Sequence, residues 1–136
     1  MAKALLILVL LGLFATMVGR FYPTWQAAAF DRLADEFELP VTRRCGSLSR
    51  GTRTKVALAV ALAHGAELLI LDEPTSGLDP VFRRTLLERL AGIISGGQTS
   101  VLFSTHITAD LERVADYITF IQRGQLVFAS TRDEVM

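Results

Sequence analysis

The stretch Leu68-Leu69-Ile70-Leu71-Asp72-Glu73 decides the fold, because an apolar run ends there in two adjacent carboxylates. A short, fully apolar run is typical of a strand that is buried on both faces, as in a parallel sheet. Ligands bind at the carboxyl ends of such strands. Asp72 can therefore hold Mg²⁺, directly or through water, and Glu73 can orient and deprotonate an attacking water. The pattern alone equally fits a strand that runs into a solvated acidic turn.

The segment after Glu73 predicts a turn and then a long helix. The turn runs from Pro74 to Asp79. Asp79 can cap the helix, and Pro80 suits its first position. One helical face is then apolar, and a pair of glycines closes the helix. The apolar positions are Phe82, Leu86, Leu90 and Ile93 or Ile94, and the glycines are Gly96 and Gly97.

Beyond this helix the chain alternates between short strands and helices, which predicts an α/β fold with a mainly parallel sheet. His106 follows the second strand directly, where a lone histidine is more often structural than catalytic. A glycine near the end predicts a tight turn between two hairpin strands. The predicted elements are strands at Ser100 to Ser104, Tyr117 to Ile121 and Leu126 to Ala129, a helix from about Thr108 to Val114, a turn at Gly124, and a further helix from Thr131.

Two helices are predicted upstream of the first strand. One is capped by Thr24 and ended by Pro40, with Phe30, Leu33 and Phe37 at helical spacing. The other covers roughly Arg50 to His64, with Gly65 as its stop. Ser49 and Gly51 lie at its start, and the free N–H groups of a helix N-terminus suit a phosphate. Ser49 can equally be a simple helix cap.

In their order and spacing these residues resemble the ABC ATPase family, over about Phe21 to the C-terminus. The region Phe21 to Leu39 looks similar to prokaryotic exporter ATPases. Arg50 and Thr52 depart from the Gly and Gln that are commonest in the family, which puts contact with a partner's nucleotide in doubt. The matching segments are Leu48-Ser49-Arg50-Gly51-Thr52 for the signature, Leu68 to Asp72 for the Walker B strand, Glu73 for the catalytic carboxylate, Ser76-Gly77-Leu78-Asp79 for the D-loop and His106 for the switch histidine.

The resemblance implies part of a P-loop NTPase (RecA-like) core with a mainly parallel sheet, together with part of the ABC helical subdomain. It implies a head-to-tail dimer in which the signature of one domain contacts the γ-phosphate of an ATP held by the other. Asp72 would hold Mg²⁺, Glu73 would polarise water, His106 would contact the γ-phosphate, and Asp79 would link the two sites. Closure of the dimer would move a transmembrane permease domain from the cytoplasmic side of the membrane.

The phosphate-binding loop of this family is missing from the sequence. No G-x-x-x-x-G-K-[ST] motif occurs, and neither lysine, Lys3 or Lys55, lies in a glycine-rich loop. The family's Walker A strand lies between the strand before His106 and the strand at Tyr117 to Ile121, so these two strands would lose a shared neighbour. We therefore expect this chain alone to be an inactive ATPase, with low solubility and marginal stability.

Composition and charge exclude some functions and leave the start of the chain open. Fourteen basic and fourteen acidic residues give no net charge, so we expect no nucleic-acid partner. The 51% hydrophobic content allows a core, and one cysteine, Cys45, excludes an internal disulfide.

Residues 1–20 are predicted to form a segment distinct from residues 21–136, because Ala4 to Gly19 is apolar and uncharged. At about 24 Å as a helix it is short for a bilayer core of about 30 Å. A membrane anchor, a secretory signal, a buried helix or strand and a non-native start all remain open.

Three functional interpretations follow. The first is an ATP-binding and ATP-hydrolysing subunit of an ABC transporter, exporter-like and truncated here. The second is a short, non-hydrolysing module that pairs its signature with a complete ABC ATPase subunit. The third is the head of an SMC-like protein, which is disfavoured because no sustained heptads precede Leu48. The sequence names neither the transported substrate nor the direction of transport.

Overall fold

The computed structural model describes residues 11–135. They fall into two compact units, one that ends at Leu69 and one that starts at Ile70. The signature segment belongs to the first unit, and Asp72, Glu73 and His106 belong to the second. The division into residues 1–20 and 21–136 stays a prediction, since residues 1–10 lie outside the described part of the chain.

The first unit is helical. Helix α2 is amphipathic, and it packs its buried residues Phe30 and Leu33 against helix α3. Phe37, one residue past the end of α2, is only 1% exposed, so the predicted apolar face is confirmed. The helices are α1 (Leu11–Gly19), α2 (Ala27–Glu36), a single 3-10 turn (Cys45–Ser47) and α3 (Arg50–Ala63).

Helix α2 begins and ends for reasons that the sequence did not indicate. The predicted Thr24 cap is wrong, because Gln26 precedes the helix and the Thr24 hydroxyl donates to the carbonyl of His64 at 2.5 Å. Thr24 and the Gln26 amide thereby satisfy carbonyls that are left unpaired at the end of α3. Pro40 does not end α2 either. The helix stops at Glu36, and the positive φ of 54° at Glu38 turns the chain away.

Helix α1 covers the second half of the apolar N-terminal stretch. Leu11 and Ala15 are buried, whereas Leu13 and Met17 are more than half exposed. Within residues 11–135, no helix has the length and apolarity that a membrane crossing requires. The anchor and signal interpretations extend to residues outside the described range and stay predictions.

The second unit combines strands with helices, as predicted. Strand β1 pairs with β2 in a two-stranded parallel sheet, and β3 pairs with β4 in an antiparallel hairpin. Arg123 and Gly124 form the hairpin turn, and both have the positive φ that a tight two-residue turn requires. The elements are β1 (Leu68–Asp72), α4 (Pro80–Ser95), β2 (Ser100–Ser104), α5 (Thr108–Val114), β3 (Tyr117–Gln122), β4 (Gln125–Thr131) and α6 (Arg132–Val135).

The core of the second unit lies between α4 and α5. The apolar face predicted for α4 is confirmed, because Phe82, Leu86 and Leu90 are all buried. Val114 of α5 is buried as well, and α5 packs on α4. This packing fixes the positions of the turns that precede both helices, where the acidic and histidine residues lie.

The prediction that β1 is buried on both faces is wrong. Leu69 is 4% exposed, but Leu68 and Ile70 are 54% and 70% exposed. The reason is that, within the described residues, no helix covers this face of the two-stranded sheet. Strands β2 and β3 lie in separate sheets, as expected if a strand between them is missing.

Candidate functional site

The candidate site lies where β1 and β2 end side by side. Asp72 is the last residue of β1 and Ser104 is the last residue of β2. The Ser104 hydroxyl donates to Oδ1 of Asp72 at 2.5 Å. The next amide along the chain, that of Glu73, donates to both the carbonyl and the hydroxyl of Ser104 at 3.1 Å each. One serine therefore contacts both residues of the acidic pair.

Glu73 has an unusual backbone conformation. Its φ of 48° lies in the left-handed region, which costs a residue with a side chain roughly 1–2 kcal/mol. Strained residues of this kind cluster at functional sites, where surrounding contacts hold them. Here the two hydrogen bonds to Ser104 and the start of the following turn provide those contacts.

Glu73 and His106 contact each other across the ends of the two strands. Oε2 of Glu73 lies 2.9 Å from Nδ1 of His106. An ionised carboxylate can only accept, so Nδ1 carries the hydrogen and Nε2 is the ring nitrogen left for another group. The side chains of His106 and Glu73 are 71% and 36% exposed. Both are thus accessible to a water molecule or a phosphate.

The D-loop candidate forms a tight turn that runs into α4. The amide of Ser76 donates to the carbonyl of Glu73 at 3.0 Å, and Gly77 has a φ of 70°. Oδ1 of Asp79 accepts from the amide of Phe82 at 2.9 Å, and Pro80 occupies the first helical turn. The predicted helix cap is confirmed. A link from Asp79 to a second site stays a prediction.

A buried ion pair holds this turn against α5. Asp110 is 1% exposed and accepts from Nε of Arg83 at 2.8 Å and from Nη2 at 2.5 Å. Its second oxygen accepts from the hydroxyl of Thr75 at 2.6 Å. Thr75 lies two residues after Glu73, and Asp110 lies four residues after His106. The network therefore ties together the two segments that carry the candidate catalytic pair.

Sequence reasoning missed both Ser104 and Asp110. Ser104 was predicted only as the end of a strand, although the end of a strand adjacent to β1 must lie near Asp72. Asp110 shares one helical face with buried Val114, and this spacing is the only signal in the sequence that its carboxylate points inward.

The chemistry of Asp72 suits Mg²⁺, a hard cation that prefers carboxylate oxygens and keeps several waters. Ser104 occupies Oδ1, so Oδ2 is the oxygen that remains for a metal or its water. Residues 11–135 contain no cluster of three or more His, Cys, Asp or Glu side chains that could hold a metal ion. A Mg²⁺ ion at Asp72 would complete its coordination with water and other oxygens.

The signature candidate starts α3 in the first unit. Oγ of Ser49 accepts from the amide of Thr52 at 3.1 Å, so the cap interpretation is confirmed. Nε of Arg53 donates to the carbonyl of Leu48 at 3.0 Å. Nothing lies within 4 Å of a Cβ placed on Gly51, so the packing of this chain does not require glycine there. The open space leaves room for an external group at the helix start.

Comparisons with known proteins agree with this fold and this order of motifs. Residues 35–109, more than half of the chain, match the family described as "AAA domain, putative AbiEii toxin, Type IV TA system". The chain is 30% identical over 119 residues to the ABC transporter ATP-binding protein YtrB of Bacillus subtilis, covering 88% of this chain and 41% of that protein. It is 40% identical over 90 residues to the Nod factor export ATP-binding protein I of Rhizobium meliloti, covering 66% of this chain and 27% of that protein.

Solved structures give the same fold. An ATP-binding subunit of an ABC transporter superposes with a TM-score of 0.80 at 28% identity, over 93% of this chain and 55% of that one. A dimeric ATP-binding cassette, solved in a post-hydrolysis state with ADP and Pi, superposes with a TM-score of 0.68 at 20% identity. It covers 77% of this chain and 46% of that one, and at this identity it supports the fold alone.

The match over residues 35–109 shows that the chain belongs to this AAA-domain family, and its fold is that of part of a P-loop NTPase domain. Its curated relatives are ABC transporter ATP-binding proteins and its structural neighbours are ABC ATPase subunits, and the partial domain match is consistent with the C-terminal half of such a domain. The chain spans less than half the length of the curated relatives described above.

Proposed function

We propose that this chain is the part of an ABC transporter ATPase that activates water and senses the γ-phosphate, and that another segment supplies the phosphate-binding loop. The observation that carries the proposal is the contact between Glu73 and His106 at adjoining strand ends, at 2.9 Å. The ordered motifs around it and the ABC-type relatives support the same conclusion.

In the proposed reaction, a water molecule attacks the γ-phosphorus of ATP and the bond to the β–γ bridging oxygen breaks. Glu73 orients this water and accepts its proton, so that ADP and phosphate are the products. Glu73 holds His106 through Nδ1, and the doubly protonated ring, in which both nitrogens are donors, donates from Nε2 to an oxygen of the γ-phosphate. Asp72 would hold a Mg²⁺ ion, which would neutralise charge on the phosphates.

The signature segment acts on a nucleotide that is bound to a second ATPase domain. Ser49 and the free amides at the start of α3 offer hydrogen bonds to a γ-phosphate, and the open space at Gly51 allows the phosphate to approach. Two domains then form a head-to-tail dimer. The position of Ser49 and the open space at Gly51, at the start of α3, support this arrangement.

The dimer drives a transmembrane permease from the cytoplasmic side of the membrane, and the substrate leaves the cell. The exporter assignment rests on the similarity to Nod factor export ATP-binding proteins. The transported substrate does not follow from this similarity, because the chain covers about a quarter of those proteins.

The test uses the ATPase that is isolated through an affinity tag on this chain, together with the polypeptide that supplies the phosphate-binding loop. We expect Mg²⁺-dependent ATP hydrolysis, and we expect Glu73→Gln to lower kcat by about 100-fold or more, because a general base and the orientation of water are both lost. Glu112→Gln, on the exposed surface of α5, is the matched control. Undiminished turnover in Glu73→Gln would remove Glu73 from its role.

A second candidate function is a non-hydrolysing module that offers its signature to a complete ABC ATPase subunit. An intact Ser49 cap beside the absence of any G-x-x-x-x-G-K-[ST] motif favours it. A pull-down with a complete ABC subunit distinguishes the two functions. The module function requires an ATP-dependent complex without hydrolysis by this chain, and it fails if ATP has no effect on binding.

A further inference from the structure

Among residues 11–135, Ser104 has a side chain that contacts both members of the acidic pair, Asp72 and Glu73. Its hydroxyl donates to Oδ1 of Asp72 at 2.5 Å and accepts from the amide of Glu73 at 3.1 Å. The hydroxyl thus uses its single hydrogen on one residue and a lone pair on the next. No motif assigned to the proposed function includes this serine.

The contact with Asp72 fixes the orientation of a carboxylate. A hydrogen bond to an ionised oxygen is shorter and stronger than one between neutral groups, and the observed distance of 2.5 Å fits such a bond. The bond uses one lone pair of Oδ1 and fixes the plane of the carboxylate, so Oδ2 takes a defined position from which it can bind a metal or a water molecule. Without the hydroxyl, the carboxylate could rotate about its last bond, and either oxygen could take that position.

The contact with Glu73 fixes a strained backbone. The left-handed φ of 48° sets the direction in which the Glu73 side chain leaves the chain. Its amide has two acceptors, both on Ser104, and the carbonyl would remain if the hydroxyl were removed. Loss of the hydroxyl would therefore loosen this conformation without abolishing it, and the distance from Glu73 to His106 would become less well defined.

We infer that Ser104 is a positioning residue that holds Asp72 and Glu73 in a fixed relation, so that the metal-binding oxygen and the water-activating carboxylate act on one nucleotide. The inference rests on the proposed ATP hydrolysis. It assigns Ser104 no contact with substrate, so its removal should change the rate of the chemical step and leave nucleotide binding unchanged.

The experiment compares Ser104→Ala with wild type in the tag-isolated ATPase that contains this chain and its loop-supplying partner. We expect kcat to fall by about tenfold while KM for ATP stays within about twofold, because only the geometry of the reacting groups is loosened. Ser104→Thr restores the hydroxyl and should restore kcat. Ser104→Cys, a weaker donor, should fall between the two. Ser100→Ala, at the other exposed end of β2, is the matched control.

The outcomes separate this inference from the proposed function. If Glu73→Gln abolishes turnover but Ser104→Ala leaves kcat unchanged, the positioning role of Ser104 is wrong and the ATPase function stands. A raised KM with unchanged kcat, or a loss of kcat that Ser104→Thr does not restore, also overturns it. If Glu73→Gln retains full turnover, the proposed function fails and this inference fails with it. Thermal melts of all variants identify any loss of folded protein.

Discussion

At the scale of single residues, Glu73 combines a chemical role with a backbone conformation that its side chain disfavours. The left-handed region is open to glycine without cost, whereas a residue with a Cβ loses roughly 1–2 kcal/mol there. A glutamate persists at a φ of 48° only because neighbouring contacts hold it. The conformation of Glu73 therefore lowers the free energy of unfolding, and it gives the carboxylate a defined direction.

Substitutions of Glu73 test whether its backbone conformation costs stability. We expect Glu73→Gly to raise the free energy of unfolding by about 1 kcal/mol relative to Glu73→Ala, because glycine adopts the positive φ without strain. The comparison uses urea denaturation followed by circular dichroism. On helix α5 the order should reverse, with Glu112→Gly about 1 kcal/mol less stable than Glu112→Ala. Equal stabilities of the two Glu73 variants would mean that the backbone there is not strained.

Some residues of the candidate site could be predicted from the sequence and others could not. Asp72 and Glu73 were predicted as candidates from their position at the end of a strand, and His106 from its place in the ordered set of motifs that resembles the ABC ATPase family. The structure brings Asp72 and Glu73 against Ser104, and Glu73 against His106. Ser104 was not predicted, because its role depends on which strand lies beside β1. Strand order is a tertiary property that no local pattern in the sequence encodes. The catalytic and metal-binding roles remain proposals that only the experiments above can test.

At the scale of elements, helices whose ends depend on local caps were predicted best. Helix α4 begins after Asp79 with Pro80 and ends before Gly96, as expected. The start of α2 was predicted poorly, since Gln26 and Thr24 satisfy carbonyls at the end of a different helix. A sequence pattern predicts where a helix begins or ends only when the groups that hydrogen-bond to the helix end lie nearby in the sequence.

The buried pair of Asp110 and Arg83 joins three elements, so its loss should be costly. Asp110→Ala leaves the Arg83 guanidinium and the Thr75 hydroxyl without their acceptor. We expect a loss of about 3 kcal/mol in the free energy of unfolding, at the lower end of the range for buried pairs because Arg83 is 30% exposed. Thr75→Val should cost about 1 kcal/mol. Urea denaturation gives both values, with Glu112→Ala as control, and a loss equal to that control would contradict the prediction.

The last helix depends on a carboxylate at its first turn. Oε2 of Glu134 accepts from the amide of Thr131 at 3.1 Å and from the hydroxyl of Ser130, as in a capping box. The Ser130 and Thr131 hydrogen bonds lower the pKa of Glu134. A depressed pKa in the folded state means that this cap stabilises α6 above the ordinary pKa of Glu, and that its contribution is lost as pH falls through the lowered value.

Nuclear magnetic resonance can follow this titration directly. We expect the side-chain carboxyl carbon of Glu134 to titrate below the ordinary range, and Ser130→Ala to raise its pKa towards that range. The Thr131 amide should shift with the same midpoint, because its acceptor is being protonated. A midpoint for Glu134 in the ordinary range of a glutamate would mean that the cap does not form in solution.

At the scale of the whole molecule, the second unit exposes apolar surface on its strands. Ile70 and Leu102 are 70% and 62% exposed on β1 and β2, and Ile121 and Leu126 are both 65% exposed on the hairpin. Each strand also has unpaired backbone groups along one edge, since within the described residues each has only one neighbouring strand. Exposed apolar strands with free edges are the usual sites of association between chains.

We therefore expect the chain expressed alone to self-associate in a concentration-dependent way. Ile70→Thr should reduce this association, because it lowers the apolar area of the open face while keeping a β-branched residue in the strand. Val81→Thr is the control, since Val81 is 77% exposed on helix α4, away from the strand edges. Analytical ultracentrifugation measures the association. The prediction is wrong if the chain stays monomeric at all concentrations and melts in one sharp transition without detergent. The two-stranded sheets would then need no further cover. In that case a further segment of the domain would be needed for ATP hydrolysis and not for stability.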